Sequence, residues 1–442
     1  MMNADDEDRS GRFDELFGDD TDDLLFEGKL DEIFERAMTA YGDGDFDYAF
    51  QCFKKLADVG HAIAQSNIGT MYAVGQGVEK DVNKALTWFR RSADQEYPPA
   101  QRYVASCYAQ GAGISRDDVK AVEWYRLAAM RGDAIAQRML GQFYNSGRGV
   151  NRDPAEAARW LREAADQGDA IAQYNLGLAY SKGLGVVQDF AEAASWYRRA
   201  AEQGEPNAQN NLGQLYQSGN GVERDFATAA SWYKSAADNG NVSAYHNLGL
   251  SYRFGRGVPN DDAKAAQCFE YAASHGHAGS QNNLGDMYHK GIGVEQDYAR
   301  AVELLRAAAD QGIPLAAQSL GMMYERGRGV PIDFAEAARW YRIAADHGLD
   351  LAQNQLGELY FNGRGVPRDR REAHRLFLAA ANNGAYESQY NLGLMYLSGL
   401  DVPQDSAEAM KWLRKAAKQR YMKAIRKLRE LSPNEPDYLS GV

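Results

Sequence analysis

Residues 172–204 read AQYNLGLAYSKGLGVVQDFAEAASWYRRAAEQG, and the fold is decided by how this stretch is read. Ala172, Leu176 and Tyr180 recur one helical turn apart, the 3.6-residue stripe of an amphipathic helix. Gly183 and Gly185 end that helix, because glycine enters the left-handed region without a Cβ penalty. Val186 follows as an apolar plug in the turn. Asp189 is placed to N-cap a second helix, and Glu192 three residues on gives a capping-box arrangement. The second helix carries Ala193, Trp196, Tyr197 and Ala200 on one face and stops at Gly204. The small Gly177 and Ala193 let the two helices approach closely.

The pattern recurs every 36 residues. With Ala172 as slot 1, that slot also holds Ala64, Ala100, Ala136, Ala208, Ala244, Ser280, Ala316, Ala352 and Ser388. Slot 9 is tyrosine in every unit from Tyr72 to Tyr396, and slot 18 is aspartate from Asp81 to Asp405. Slot 25 holds all 7 tryptophans of the chain, which marks them as packing residues rather than a ligand cage. Asp45, Ala49, Phe53 and Ala57 precede Asp81, Ala85, Phe89 and Ala93 by one period, adding a degenerate unit over 28–63. Ten full units then fill 64–423, and 424–442 reads as a capping helix and short tail. One helix pair cannot bury its own Trp and Tyr, whereas stacked pairs can. The sequence therefore predicts an all-α fold, an α/α solenoid wound as a right-handed superhelix of about eleven helix-turn-helix repeats.

The 442 residues carry 61 acids and 49 bases, a net charge of -12. Residues 1–35 alone hold 14 acids and 3 bases, so the remainder is nearly neutral. Residues 1–27 are expected to be an acidic, largely disordered tail, since like charge and few apolar groups cannot offset the entropy of ordering. The neutral body gives no electrostatic case for nucleic-acid binding. No stretch reaches the ~18 uncharged apolar residues of a membrane helix, so no membrane insertion is expected. The acidic start also lacks the basic and apolar regions of a secretory signal.

The residues Ala172, Leu176, Gly177, Tyr180, Gly183, Gly185, Val186, Asp189, Ala193, Trp196, Tyr197, Ala200, Ala201 and Gly204 resemble the Sel-one-like repeat family, a branch of the tetratricopeptide-like solenoids. The resemblance covers ten full units and implies a non-enzymatic scaffold or adaptor that holds other proteins, in a repeat style like that of bacterial members. Some secreted relatives carry a disulfide in each repeat and are linked to penicillin binding. They support an alternative reading as a hydrolase or cell-wall-ligand binder. Here Cys52 and Cys268 sit in the tryptophan slot and Cys107 in another core slot, none with a partner at matching spacing. That departure fits a reduced, cytoplasmic compartment. An exported effector or regulatory protein using a non-classical signal is a further alternative.

Constellations that carry chemistry are sparse. The Gly-x-Gly loops, such as Gly147-Arg148-Gly149, lack the strand and the Lys-Ser/Thr ending of a phosphate cradle. His246, His275, His277 and His289 lie close in sequence, but no carboxylate joins them at ligand spacing, so solvated histidines are expected rather than a metal site. No Ser/His/Asp, Cys/His or paired-carboxylate arrangement stands out. The expectation is no catalytic residue, no metal and no cofactor.

The variable slots are more informative. Slots 3, 7 and 10 lie opposite the Leu/Tyr stripe of the first helix, the face that lines the concave surface in related solenoids. Slot 4 beside them holds Asn67, Asn175, Asn211, Asn247, Asn283 and Asn391. An amide both donates and accepts, so it can pair with a peptide backbone whatever the side chains. Asn175, Asn211, Asn247 and Asn283 form the expected ladder for a protein or extended peptide, with Tyr174, His246 and Leu250 adding side-chain preference. Hydrogen bonding between neighbouring units is the competing reading.

At the C-terminal end Lys411, Arg414, Lys415, Lys418, Arg420, Lys423, Arg426 and Lys427 form a charged patch. Nine bases against Glu430 give residues 411–430 a net of +8. Cations suit helix C-termini and a terminal cap needs a polar face. The patch also offers the acidic tail of the same or another molecule a partner, which implies weak, salt-sensitive self-association.

Overall fold

The computed structural model describes residues 27–432. The acidic tail before Glu27 and the last ten residues of the closing tail lie outside the described residues. Within them there are 23 helices and no strand, an all-α repeat fold. The first helix has 16 residues and the last 10; every helix between them has 13. The chain divides into two compact units at Glu223 and Arg224. In each, successive helices pack on one another in chain order.

The repeat built from 172–204 shows why the elements form. Its first helix is Ala170–Lys182 and its second Phe190–Glu202. Asp169 caps the first, accepting from the Ala172 N–H at 2.7 Å. Gly183 ends it at φ +68°. Asp189 caps the second, accepting from the N–H groups of Ala191 and Glu192 at 2.8 and 3.1 Å. Each such cap contributes about 1 kcal/mol. The expected capping box does not close, because the Asp189 N–H already donates to the Tyr180 carbonyl at 3.0 Å. That bond ties the loop back to the first helix instead.

Gly177 allows the close approach expected of it. A Cβ there would lie 2.7 Å from the Tyr197 ring. The reason for Gly185 differs from helix termination. It sits at φ +72°, and a Cβ would overlap the backbone carbonyl of Pro154, at the start of the preceding repeat's second helix. The second glycine of the loop is therefore an inter-repeat contact point.

The core is built from slots 25 and 26 of each repeat. Tyr197, Phe89 and Phe53 in the first unit, and Tyr233, Phe269, Tyr341 and Phe377 in the second, are fully buried. Trp196 packs against Leu161, Ala164, Ala165, Ala172 and Leu176, with Arg199 4.4 Å over its ring. Trp124 and Trp232 are only half-buried, so the tryptophan slot is not uniformly core. The tyrosine stripe has its own partner. In six repeats an arginine of the preceding second helix donates to the hydroxyl, as in Arg90–Tyr108 at 3.0 Å, Arg126–Tyr144 at 2.8 Å and Arg198–Tyr216 at 2.9 Å.

Candidate peptide-binding groove

The candidate binding residues fall on the first helix of each repeat, whose Leu/Tyr stripe faces the core. Tyr174, Leu178, Asn211 and Gln214, from slots 3, 7, 4 and 7, line one cavity of about 610 Å³ in the first unit. Tyr197 forms part of its floor. The ring centroids of Tyr174 and Tyr197 are 6.0 Å apart. Burial pushes both tyrosine pKa values up, while the Asn211 amide beside both hydroxyls opposes the shift. Asn211 also accepts from Asn210 at 3.5 Å. Asn175, on the same helix as Tyr174, is half-buried, and its side chain makes no hydrogen bond among the described residues.

In the second unit, Asn283 accepts from Asn282 at 3.5 Å, and Asn247 is half-buried with its own interaction inside the structure. Leu250 packs against the cluster of Phe269, Leu284 and Met287. His246 turns into the junction between repeats. Its Nδ1 lies 2.9 Å from Ser280 Oγ, its ring 4.4 Å from that of His277, and burial lowers its pKa to about 4. Asn391, the last of the slot-4 asparagines, donates across the repeat boundary to Asn354 at 3.0 Å and to Glu358 at 3.3 Å.

The histidines depart from the expectation of solvated side chains. His277 is an N-cap, accepting from the Ser280 N–H at 3.1 Å, and His61 caps its helix in the same way. His289 is half-buried, 2.9 Å from Arg328. Only His275 of the four is exposed. The start of each first helix needs an acceptor, and an imidazole in that slot serves as one. Among the described residues no three His, Cys, Asp or Glu side chains come together as a metal site. Cys52, Cys107 and Cys268 are free thiols.

Of the basic patch, Lys411 pairs with Glu408 at 2.7 Å, Lys427 with Glu430 at 3.0 Å, and Lys415 lies 4.0 Å over Trp412. Arg414 is engaged, and Lys418, Arg420, Lys423 and Arg426 are exposed. The patch is thus part cap and part open charge.

One polar element escaped the sequence reading. Slot 2 holds a buried glutamine in most repeats, and its side chain donates to a carbonyl at the end of the preceding repeat, as Gln137 does to Ala129 at 3.0 Å. Its recurrence at slot 2 was the available signal.

The described residues thus define an all-α helical repeat protein, with a recurring core and a first-helix face that varies between repeats. The Sel1 repeat profile matches 11 times from residue 39 to residue 421, and the chain belongs to the Sel1 repeat family. It is similar to c5321, a protective antigen of uropathogenic Escherichia coli strains with an SLR fold. The two share 29% identity over 97% of this chain and 90% of that one, with a TM-score of 0.85. It is also similar to a Sel1 repeat protein from Oxalobacter formigenes, at 36% identity over 74% of this chain and 93% of that one, with a TM-score of 0.53. No curated protein matches significantly. No described helix is long and apolar enough to cross a membrane.

Proposed function

We propose that the protein is a non-enzymatic scaffold that binds a protein or extended peptide segment along its first-helix face. The observation that carries this is the 610 Å³ cavity lined by Tyr174, Leu178 and Gln214, from slots that vary between repeats, and by Asn211 of the asparagine column. The amides grip the backbone; Tyr174 and Leu178 select side chains. Asn175 and Asn211 form the first unit's part of the amide ladder, and Asn247 and Asn283 the second unit's. Tyr174, His246 and Leu250 support the two parts. Three free thiols are in keeping with work in a reduced compartment, the cytoplasm.

The test is selection of peptides from a random display library by the full chain, repeated with the fourfold variant Asn175→Ala, Asn211→Ala, Asn247→Ala, Asn283→Ala. The variant should bind the selected peptides more than ~1 kcal/mol more weakly, beyond one net hydrogen bond, with helicity unchanged. Equal binding rejects the ladder, and unfolding of the variant assigns the asparagines to inter-repeat structure.

A further inference from the structure

A second cleft lies over the last repeats of the second unit. It measures about 870 Å³, within the range of ligand sites, and is walled by three first helices, Asp350–Asn362, Tyr386–Ser398 and Met422–Leu431. Its walls differ in chemistry. Leu394 and Leu397, three residues apart on the middle helix, share a face and with Phe361 and Leu400 supply apolar surface. Lys423 and Lys427, four residues apart on the last helix, also share a face and supply charge. Lys427 stands at slot 4, the position of the asparagine column that includes Asn391 one repeat earlier. The column that offers amides in inner repeats therefore ends on an ammonium group.

The charges of this cleft are unequally satisfied. Lys423 is exposed and forms no ion pair among the described residues. The pair of Lys427 with Glu430 at 3.0 Å is a surface contact of small worth. Among the described lining residues the one acid is Glu358, and its carboxylate already accepts from Asn354 at 3.0 Å and Asn391 at 3.3 Å. An apolar wall thus stands beside a wall of unmatched positive charge.

Helix geometry sets the form of the occupant. A rise of ~1.5 Å per residue puts Lys423 and Lys427 roughly 6 Å apart along the helix axis. Alternate side chains of an extended chain stand ~6.6 Å apart on one face, and the intervening ones point to the other. An extended segment lying between the middle and last helices can turn alternate carboxylates to the lysines and the apolar side chains between them to Leu394 and Leu397. We infer that the cleft takes an extended segment of a partner protein in which Asp or Glu alternates with bulky apolar residues. The inference rests on reading the first-helix face as a peptide-binding surface, and it names the peptide class that the last repeats select. The amide ladder would hold any extended backbone; this cleft selects charge.

The test is fluorescence anisotropy of the full chain with three labelled peptides of equal length, built on repeats of Leu-Glu, Leu-Gln and Leu-Lys. The Leu-Glu peptide should bind most tightly. Raising salt from about 0.1 M to about 1 M shortens the screening length from about 10 Å to about 3 Å and should weaken its binding several-fold. Lys423→Glu should weaken it about fivefold or more, because an attraction becomes a repulsion. Lys423→Ala should weaken it in the same direction without a new charge. Lys234→Glu, an equal charge change at an exposed second-helix position, should leave it unchanged. Circular dichroism checks that the variants remain helical. The fourfold asparagine variant leaves every residue lining this cleft in place and should keep the preference for Leu-Glu over Leu-Gln. Equal binding of those two peptides, or binding indifferent to Lys423, overturns the inference and leaves the scaffold reading standing. Absence of Leu-Glu binding overturns it too, since selection from the display library reads the scaffold function separately.

Discussion

Gln203 donates through Nε2 to Oε1 of Gln173 at 2.8 Å, and Gln173 in turn donates to the Ala165 carbonyl at 3.0 Å. One glutamine, 5% exposed, thereby joins the ends of three helices. Replacing Gln173 with Ala should cost about 1–3 kcal/mol, because buried partners lose their bonds. Gln203→Ala should cost less, since that side chain sits nearer solvent. A double-mutant cycle by urea unfolding should return a favourable coupling. Strict additivity would mean the pair is incidental.

Trp196 is 4% exposed, so Trp196→Ala should destabilise by about 3–5 kcal/mol through lost packing and a residual cavity. Contacts run between neighbours, so hydrogen exchange should accelerate first in Pro154–Asp166 and Ala170–Lys182. Unchanged protection there would return the tryptophans to a ligand-cage role.

The folded pKa of His246, about 4, lies below the ordinary value of 6.5 because burial and the neighbouring His277 disfavour its charge. The unfolded chain therefore binds the extra proton between those values, and stability falls as pH drops from 6.5 toward 4. This window lies above the titration of Asp118, which Arg116 and Arg148 hold at about 2. His246→Gln should lose less stability than the parent between pH 7 and pH 4.5, read as the shift in urea midpoint. Parallel curves for the two proteins would remove His246 from the acid response.

Arg420 sits at φ +62° in a slot that most repeats fill with glycine. The left-handed region costs a non-glycine residue roughly 1–2 kcal/mol, part of which is offset by the greater chain entropy of unfolded glycine. Arg420→Gly should therefore raise stability by up to about 1 kcal/mol, measured by thermal unfolding. A lower midpoint would show that the arginine side chain does more than its backbone costs.

Cys268 has its thiol pushed up to about 11 by burial, so little thiolate forms near neutrality. In the native chain it should alkylate slowly. Denatured without reductant, all three cysteines should take up label by mass spectrometry, and an intrachain disulfide would contradict the free-thiol assignment.

The periodic slots of Tyr, Asp and Trp made the helices and their order legible, because those residues act within a repeat or against the next one. What stayed hidden depends on stacking. The Gln173 donor finds its acceptor eight residues back, at Ala165 in another helix, which no local pattern identifies. Gly185 read as a helix terminator because its backbone clash partner, Pro154, lies in the preceding repeat. The asparagine column was visible as a row of identical residues. Its division into the bond-free Asn175 and the bridging Asn391 arises from slots 3 and 7 of the neighbours, which differ from repeat to repeat.

The seat of Gly185 against Pro154 also sets a rule for changes in length. Each loop that carries this glycine, from Gly77 to Gly365, is measured against the helix start one repeat earlier, so a single inserted residue misplaces the glycine relative to that seat. Removal or duplication of 36 residues restores the same seat at the new junction. The chain can thus gain or lose whole repeats as interchangeable modules, and its reach along a partner changes in fixed increments.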